Sequence, residues 1–218
     1  MEMADIIFKI FLFTHIVSGS IALFTGSVAL ILKKKRGLHS KFGFIFHFAM
    51  IAIAISAFVM AIMHTNYFLF VIGVFSLYLS FAGYRSIKFM GGFVKPSIID
   101  KLIMILSTFL LFGVSYQYLS TSVFKPTGFS TVLIFFDIVF VVILLKDLEI
   151  FKINELSKND FLMRHITRMV PAYIATVTAF LVVNVNYQYP VVIWLAPTFL
   201  FLPVIIYNIR KYRKKVVL

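Results

Sequence analysis

HIVSGSIALFTGSVALILKKKRGLH, residues 15–39, decides how this chain is read. A run of apolar and small residues from His15 to Leu32 ends abruptly on Lys33, Lys34, Lys35 and Arg36. Traced back to Ile6, the run is long enough as a helix to cross about 30 Å of hydrocarbon at about 1.5 Å per residue. A basic cluster directly after such a run marks the cytoplasmic end of a transmembrane helix. Acidic Glu2 and Asp5 precede it, the reverse of the charge order in a cleaved signal, so the stretch reads as a retained span.

The same grammar repeats along the chain. Seven stretches reach the roughly 20 apolar residues that a span requires: 6–32, 42–63, 67–89, 98–119, 127–145, 161–185 and 190–209. Alternation of polar and apolar residues, the mark of membrane β-strands, is missing. Composition agrees: 61% of residues are apolar and 13% charged, with a mean hydropathy of +1.01, far from the balance of a soluble domain. The fold class expected is therefore all-α, one seven-helix transmembrane bundle over residues 1–218.

Charge placement orients it. Of the lysines and arginines, all but Lys9 and Lys125 fall at one side of the predicted membrane: the first loop, the regions around the third and fifth, and the tail. The positive-inside rule then puts the amino terminus outside and the carboxyl terminus in the cytoplasm of a bacterial inner membrane, which an odd span count requires. The net charge of +13 is thus explained by orientation and by anionic lipid, not by nucleic acid. The chain has no cysteine, which excludes disulfides, thiolate metal sites and iron–sulfur clusters. The connection from Lys146 to Asp160 mixes charge with an amphipathic pattern and is expected to lie along the interface as a short helix.

Helices in lipid meet where small residues let backbones approach. Such stripes run through His15, Ser18, Gly19, Ala22, Gly26 and Ala29 in the first span, and through His39, His47, Ala54, Ala57, Ala61 and His64 in the second. Gly73, Ser76, Ser80 and Gly83 form one in the third, and His165, Arg168, Ala172, Ala175 and Ala179 one in the sixth. The histidines share these stripes, so the imidazoles are expected to face the interior. The fifth span, rich in Phe, Ile and Val around one acid, is expected at the periphery with Asp137 turned inward.

Polar groups in hydrocarbon need partners. Counting depth along each helix puts Asp137 and His15 near the midplane, where they could pair; Arg168 is the alternative partner of Asp137. On the cytoplasmic half, His39, His47, His165 and Arg168 form a second candidate group. His47 and His165 are close enough in predicted depth to clamp a b-type haem or to share a divalent metal, with Met169 as an alternative ligand. A Walker loop, a nucleophile elbow and an H-E-x-x-H run are absent.

HIVSGSIALFTGSVALILKKKRGLHSKFGFIFHFAM (15–50), HITRMVPAYIATVTAFLVVN (165–184) and WLAPTFLFLP (194–203) resemble an uncharacterised family of bacterial multi-pass membrane proteins. The resemblance implies fold and location and no activity. A more distant likeness, to cytochrome b561-type haem proteins, rests on histidines in small-residue helices, without the two matched histidine pairs of that family. Four functions follow as alternatives: a haem- or metal-binding redox protein acting on a quinone or other small molecule, a proton-coupled transporter, a metal-dependent intramembrane hydrolase, and an accessory subunit.

Overall fold

The computed structural model describes residues 2–34, 37–121, 128–152 and 156–214; Lys35, Arg36, Lys125, Thr127 and Lys215 of the expected loops, fifth span and tail lie outside them. The described elements are all helices: α1 (Glu2–Ile31), α2 (Leu38–Met63), α3 (Tyr67–Met90), α4 (Ile98–Thr121), α5 (Gly128–Asp147), α6 (Glu149–Lys152), α7 (Lys158–Asn184) and α8 (Pro190–Lys214). Local chemistry sets their starts. The Asn66 side chain accepts from the Leu69 amide at α3, and Ser157 and Asp160 cap each other's backbone at α7. Between α1 and α2 the chain passes through Gly37 at φ +115°, backbone that side-chain-bearing residues rarely adopt.

Six of these helices, α1, α2, α3, α4, α7 and α8, are long and apolar enough to cross a membrane. α5 is twenty residues long, with Asp137 at its middle and Lys146 and Asp147 in its last turn. The interfacial helix expected over 146–160 is reduced among the described residues to the four residues of α6, because α5 continues to Asp147 and α7 starts at Lys158. Pro171, Pro197 and Pro203 stand inside α7 and α8, which continue through them.

Two helices organise the rest. α3 and α7 pack along each other, and the remaining long helices complete a ring on either side. One ring runs α1–α2–α3–α7; the other runs α3–α4–α5–α8–α7. The first closes through small residues. A Cβ on Gly26 would run into the Tyr173 ring, and one on Gly83 would lie 2.6 Å from Met169 Sδ, so α7 approaches α1 and α3 as only glycine allows. Aromatic rings fill the second. Phe75 meets Phe136 edge-on with centroids 5.1 Å apart, and Phe68 meets Trp194 at 4.8 Å.

α5 buries Val132, Leu133, Phe136, Phe140 and Ile143 against its neighbours and exposes Ile134, Ile138, Val142 and Leu145 on its other face, as expected of a peripheral helix. α1, which exposes Ile6, Ile10, Phe13, Ile16 and Phe24 and buries only Ser18, Ala22, Thr25 and Gly26, is peripheral too. Uniformly apolar sequence hides such placement, because the apolar face toward lipid and the apolar face toward protein look alike.

Candidate functional site

Histidines occupy the first ring. His15 on α1 reaches across to α2, donating from Nδ1 to Ser56 Oγ at 3.0 Å and to the Ile53 carbonyl at 3.3 Å. His47 on α2, 4% exposed, hydrogen-bonds through Nδ1 to Ser80 Oγ of α3 at 2.8 Å and stacks on Tyr84 with centroids 4.3 Å apart. His165 on α7 donates to the Gly83 carbonyl of α3 at 2.9 Å, and His39 on α2 to the Ala29 carbonyl of α1 at 3.0 Å. Ser27 and Tyr173 add a contact of 2.6 Å between α1 and α7. These four imidazoles face the interior, and each joins two helices. The fifth, His64, caps the end of α2 and is exposed there, meeting the Phe8 ring edge-on with centroids 4.4 Å apart, because the helix ends before that stripe reaches the interior.

Acids occupy the second ring. Asp147, 1% exposed at the end of α5, accepts from Arg164 Nε at 2.7 Å, from Arg168 Nη2 at 2.8 Å and from the Tyr78 hydroxyl at 2.7 Å. The guanidiniums find further acceptors: Arg164 donates to the Ala82 carbonyl and Ser86 Oγ, and Arg168 to the Ile143 carbonyl and Thr167 Oγ1. α3, α5 and α7 are thereby fastened at one point. Nearby, Arg85 makes a two-pronged bond to Asp100, 2.7 Å on each arm, while Ser97 donates to Asp100 from its amide and hydroxyl. A cavity of about 10 Å³ lies between Tyr78, Asp100, Asp147 and Arg164, the room of a single water.

Asp137 is the exception. It sits at mid-length of α5, half-buried, with Ser115 Oγ of α4 donating to its carboxylate at 3.1 Å. Among the described residues it forms no ion pair.

Two sequence-based pairings are corrected. His15 and Asp137 do not meet, because α1 packs on α2 and α7 and not on α5. Arg168 binds Asp147 instead of Asp137, a carboxylate ten residues further along the same helix, or about 15 Å. Sequence reasoning passed over Asp147, Arg164, Tyr78 and the Arg85–Asp100 pair. A signal existed: Arg164 and Arg168 stand four residues apart on one helix face, and two guanidiniums there demand a buried acid.

The haem expectation finds no fit. His47 and His165 each turn Nδ1 to α3, and the imidazole in electrostatic reach of His165 is that of His39. His47 is enclosed by Ser80, Phe48 and Tyr84, which leaves no face for a macrocycle. Met169 packs its sulfur against Gly83. Among the described residues, no three His, Asp or Glu side chains converge as metal ligands. No family model matches the chain, and no curated protein or solved structure matches it at a significant level.

Proposed function

We propose that the chain is a seven-span inner-membrane protein, amino terminus outside and carboxyl terminus cytoplasmic, that couples movement of a small molecule to a proton carried by Asp137. The observation that carries this reading is the contrast among the three aspartates of α4 and α5. Arginine fixes Asp100 and Asp147, and among the described residues Asp137 has a serine hydroxyl alone. A carboxyl at membrane depth without a cation is tolerated in hydrocarbon as the neutral acid, and such residues mark proton relays. Ser115 occupies one carboxylate oxygen and leaves the other for a proton.

Polar groups at three levels of the second ring support the same reading. Gln117 donates to Tyr67 at one end, Ser115 and Asp137 meet further in, and the Tyr78–Asp147–Arg164 network lies at the other end. A seventh span through α5 places Asp137 between these two ends.

Uptake into energised membrane vesicles tests the coupling, using a panel of radiolabelled amino acids, organic acids, nucleosides and organic cations. Accumulation of at least one compound is expected, abolished by a protonophore and by Asp137→Asn while the protein still inserts. Absence of proton-dependent uptake above vesicles lacking the protein, or uptake unchanged in Asp137→Asn, overturns it. The missing cysteines make topology readable without background: Glu2→Cys should react with an impermeant maleimide from outside, and Lys211→Cys only after permeabilisation. The reverse pattern, or labelling of both from one side, overturns the layout.

A further inference from the structure

The end of the histidine ring that carries Lys34 brings two ammoniums and two imidazoles together, with no acid beside them among the described residues. Lys34 Nζ donates to the Ala29 carbonyl at 2.8 Å and to that of Leu30, and His39 Nδ1 donates to the same Ala29 oxygen at 3.0 Å. Sharing one acceptor places the ammonium and the imidazole side by side. Two principles favour this: cations cap the free carbonyls of a helix end, and the turn at Gly37 folds the chain back on that end. From α7, His165 brings a third group, in electrostatic reach of both His39 and Lys34. From α8, Lys211 faces Lys34. Burial, and then Lys211, hold the Lys34 ammonium below its ordinary value.

Nothing in the described chain neutralises this group. The ion pairs among the described residues use Asp100 and Asp147, whose arginines already engage them. Lys34 and Lys211 are exposed and His39 and His165 half-buried, so the group is reachable from the membrane rim. Each of the two imidazoles uses Nδ1–H on a carbonyl, which leaves Nε2 to take up a proton and donate it. The two ammoniums converge at a cost unless an anion lies between them, and an oxyanion matches several N–H donors at once.

We propose that Lys34, His39, His165 and Lys211 form a binding site for a phosphate-class anion, either the phosphodiester of a lipid headgroup or free phosphate. The site belongs to the first ring and does not rest on the role of Asp137. An anion held there ties the ends of α1, α2, α7 and α8 together, so occupancy raises the thermal stability of the bundle.

Thermal unfolding of the full-length protein in detergent tests this, with added short-chain phosphatidylglycerol, phosphatidylcholine of the same chain length, or sodium phosphate against sodium chloride at equal ionic strength. Phosphatidylglycerol is expected to raise the midpoint by several degrees, with no rise from phosphatidylcholine. The rise should fall below half in Lys34→Gln/Lys211→Gln and survive in Lys33→Gln/Lys41→Gln, which removes the same charge elsewhere. Protection by sodium phosphate equal to that by phosphatidylglycerol supports the site and identifies a soluble anion as the ligand. Equal protection by the two lipids with phosphate no better than chloride, or full protection in Lys34→Gln/Lys211→Gln, overturns it. Should the double variant fail to fold, Lys211→Gln and His165→Gln carry the same comparison, and an undiminished rise in both overturns the proposal.

Discussion

The two rings share α3 and α7 and use polar groups in opposite ways. In the first, each of His15, His39, His47 and His165 directs Nδ1 to a neighbouring helix, close to glycines that admit Tyr173 and Met169. These imidazoles pin helix to helix in a ring closed by backbone approach. The second ring is closed by aromatic packing and by charge. Its aspartates divide again, Asp147 locked beneath two arginines and Asp137 left with Ser115. One helix thus carries a carboxylate that holds the bundle together and another that the bundle leaves uncompensated. Charge at membrane depth is costly in either case, so the difference lies in what each carboxylate is for.

The largest effect should come from the locked acid. Asp147→Asn leaves two buried guanidiniums facing a neutral amide and should cost about 3–5 kcal/mol of stability, measured by denaturant unfolding in detergent. Wild-type stability would break the comparison at its strong end. Next is the close approach in the first ring. Gly26→Leu drives a side chain into the Tyr173 ring and should cost about 1–3 kcal/mol, whereas Gly19→Leu, with no atom within 4 Å of the added Cβ, should stay within about 0.5 kcal/mol. Equal losses at both sites would show that helix approach does not close this ring.

A smaller effect is expected from the pins. A double-mutant cycle of His47→Ala and Ser80→Ala should give a coupling of about 0.6–1.7 kcal/mol, the range for hydrogen bonds between membrane helices. Zero coupling would leave the Nδ1–Oγ contact without energetic meaning. Smallest of all, Asp137→Asn should change stability by no more than about 0.5 kcal/mol, since it removes a charge and breaks no ion pair. A loss comparable to that of Asp147→Asn would show Asp137 to be a structural acid and erase the contrast.

Much of this was legible in the sequence, and the reasons are physical. Hydropathy reports helix length directly, so the positions of the six helices long and apolar enough to cross a membrane read correctly to within a few residues. Small residues report close approach, and the stripes through Ala22 and Gly26, Ala54 and Ala61, Ser76 and Ser80, and Ala172 and Ala175 are buried. Depth along one helix is also a sequence property, but which helices adjoin is not. Depth alone matches His15 to Asp137, across helices that share no contact. Depth likewise pairs Arg168 with Asp137 and misses Asp147, because a guanidinium reaches sideways to a neighbouring helix end as easily as upward. Asp147 itself lay beside Lys146 in what reads as a solvated loop junction, and only packing makes it a buried counter-ion.

The claim that Asp137 alone among the three aspartates exchanges a proton is tested most directly by pH-difference infrared spectroscopy of the reconstituted protein. A carboxyl C=O band should appear as pH falls, vanish in Asp137→Asn, and persist when Ser115→Ala shifts its frequency by removing the hydroxyl donor. A band unchanged in Asp137→Asn would contradict the account.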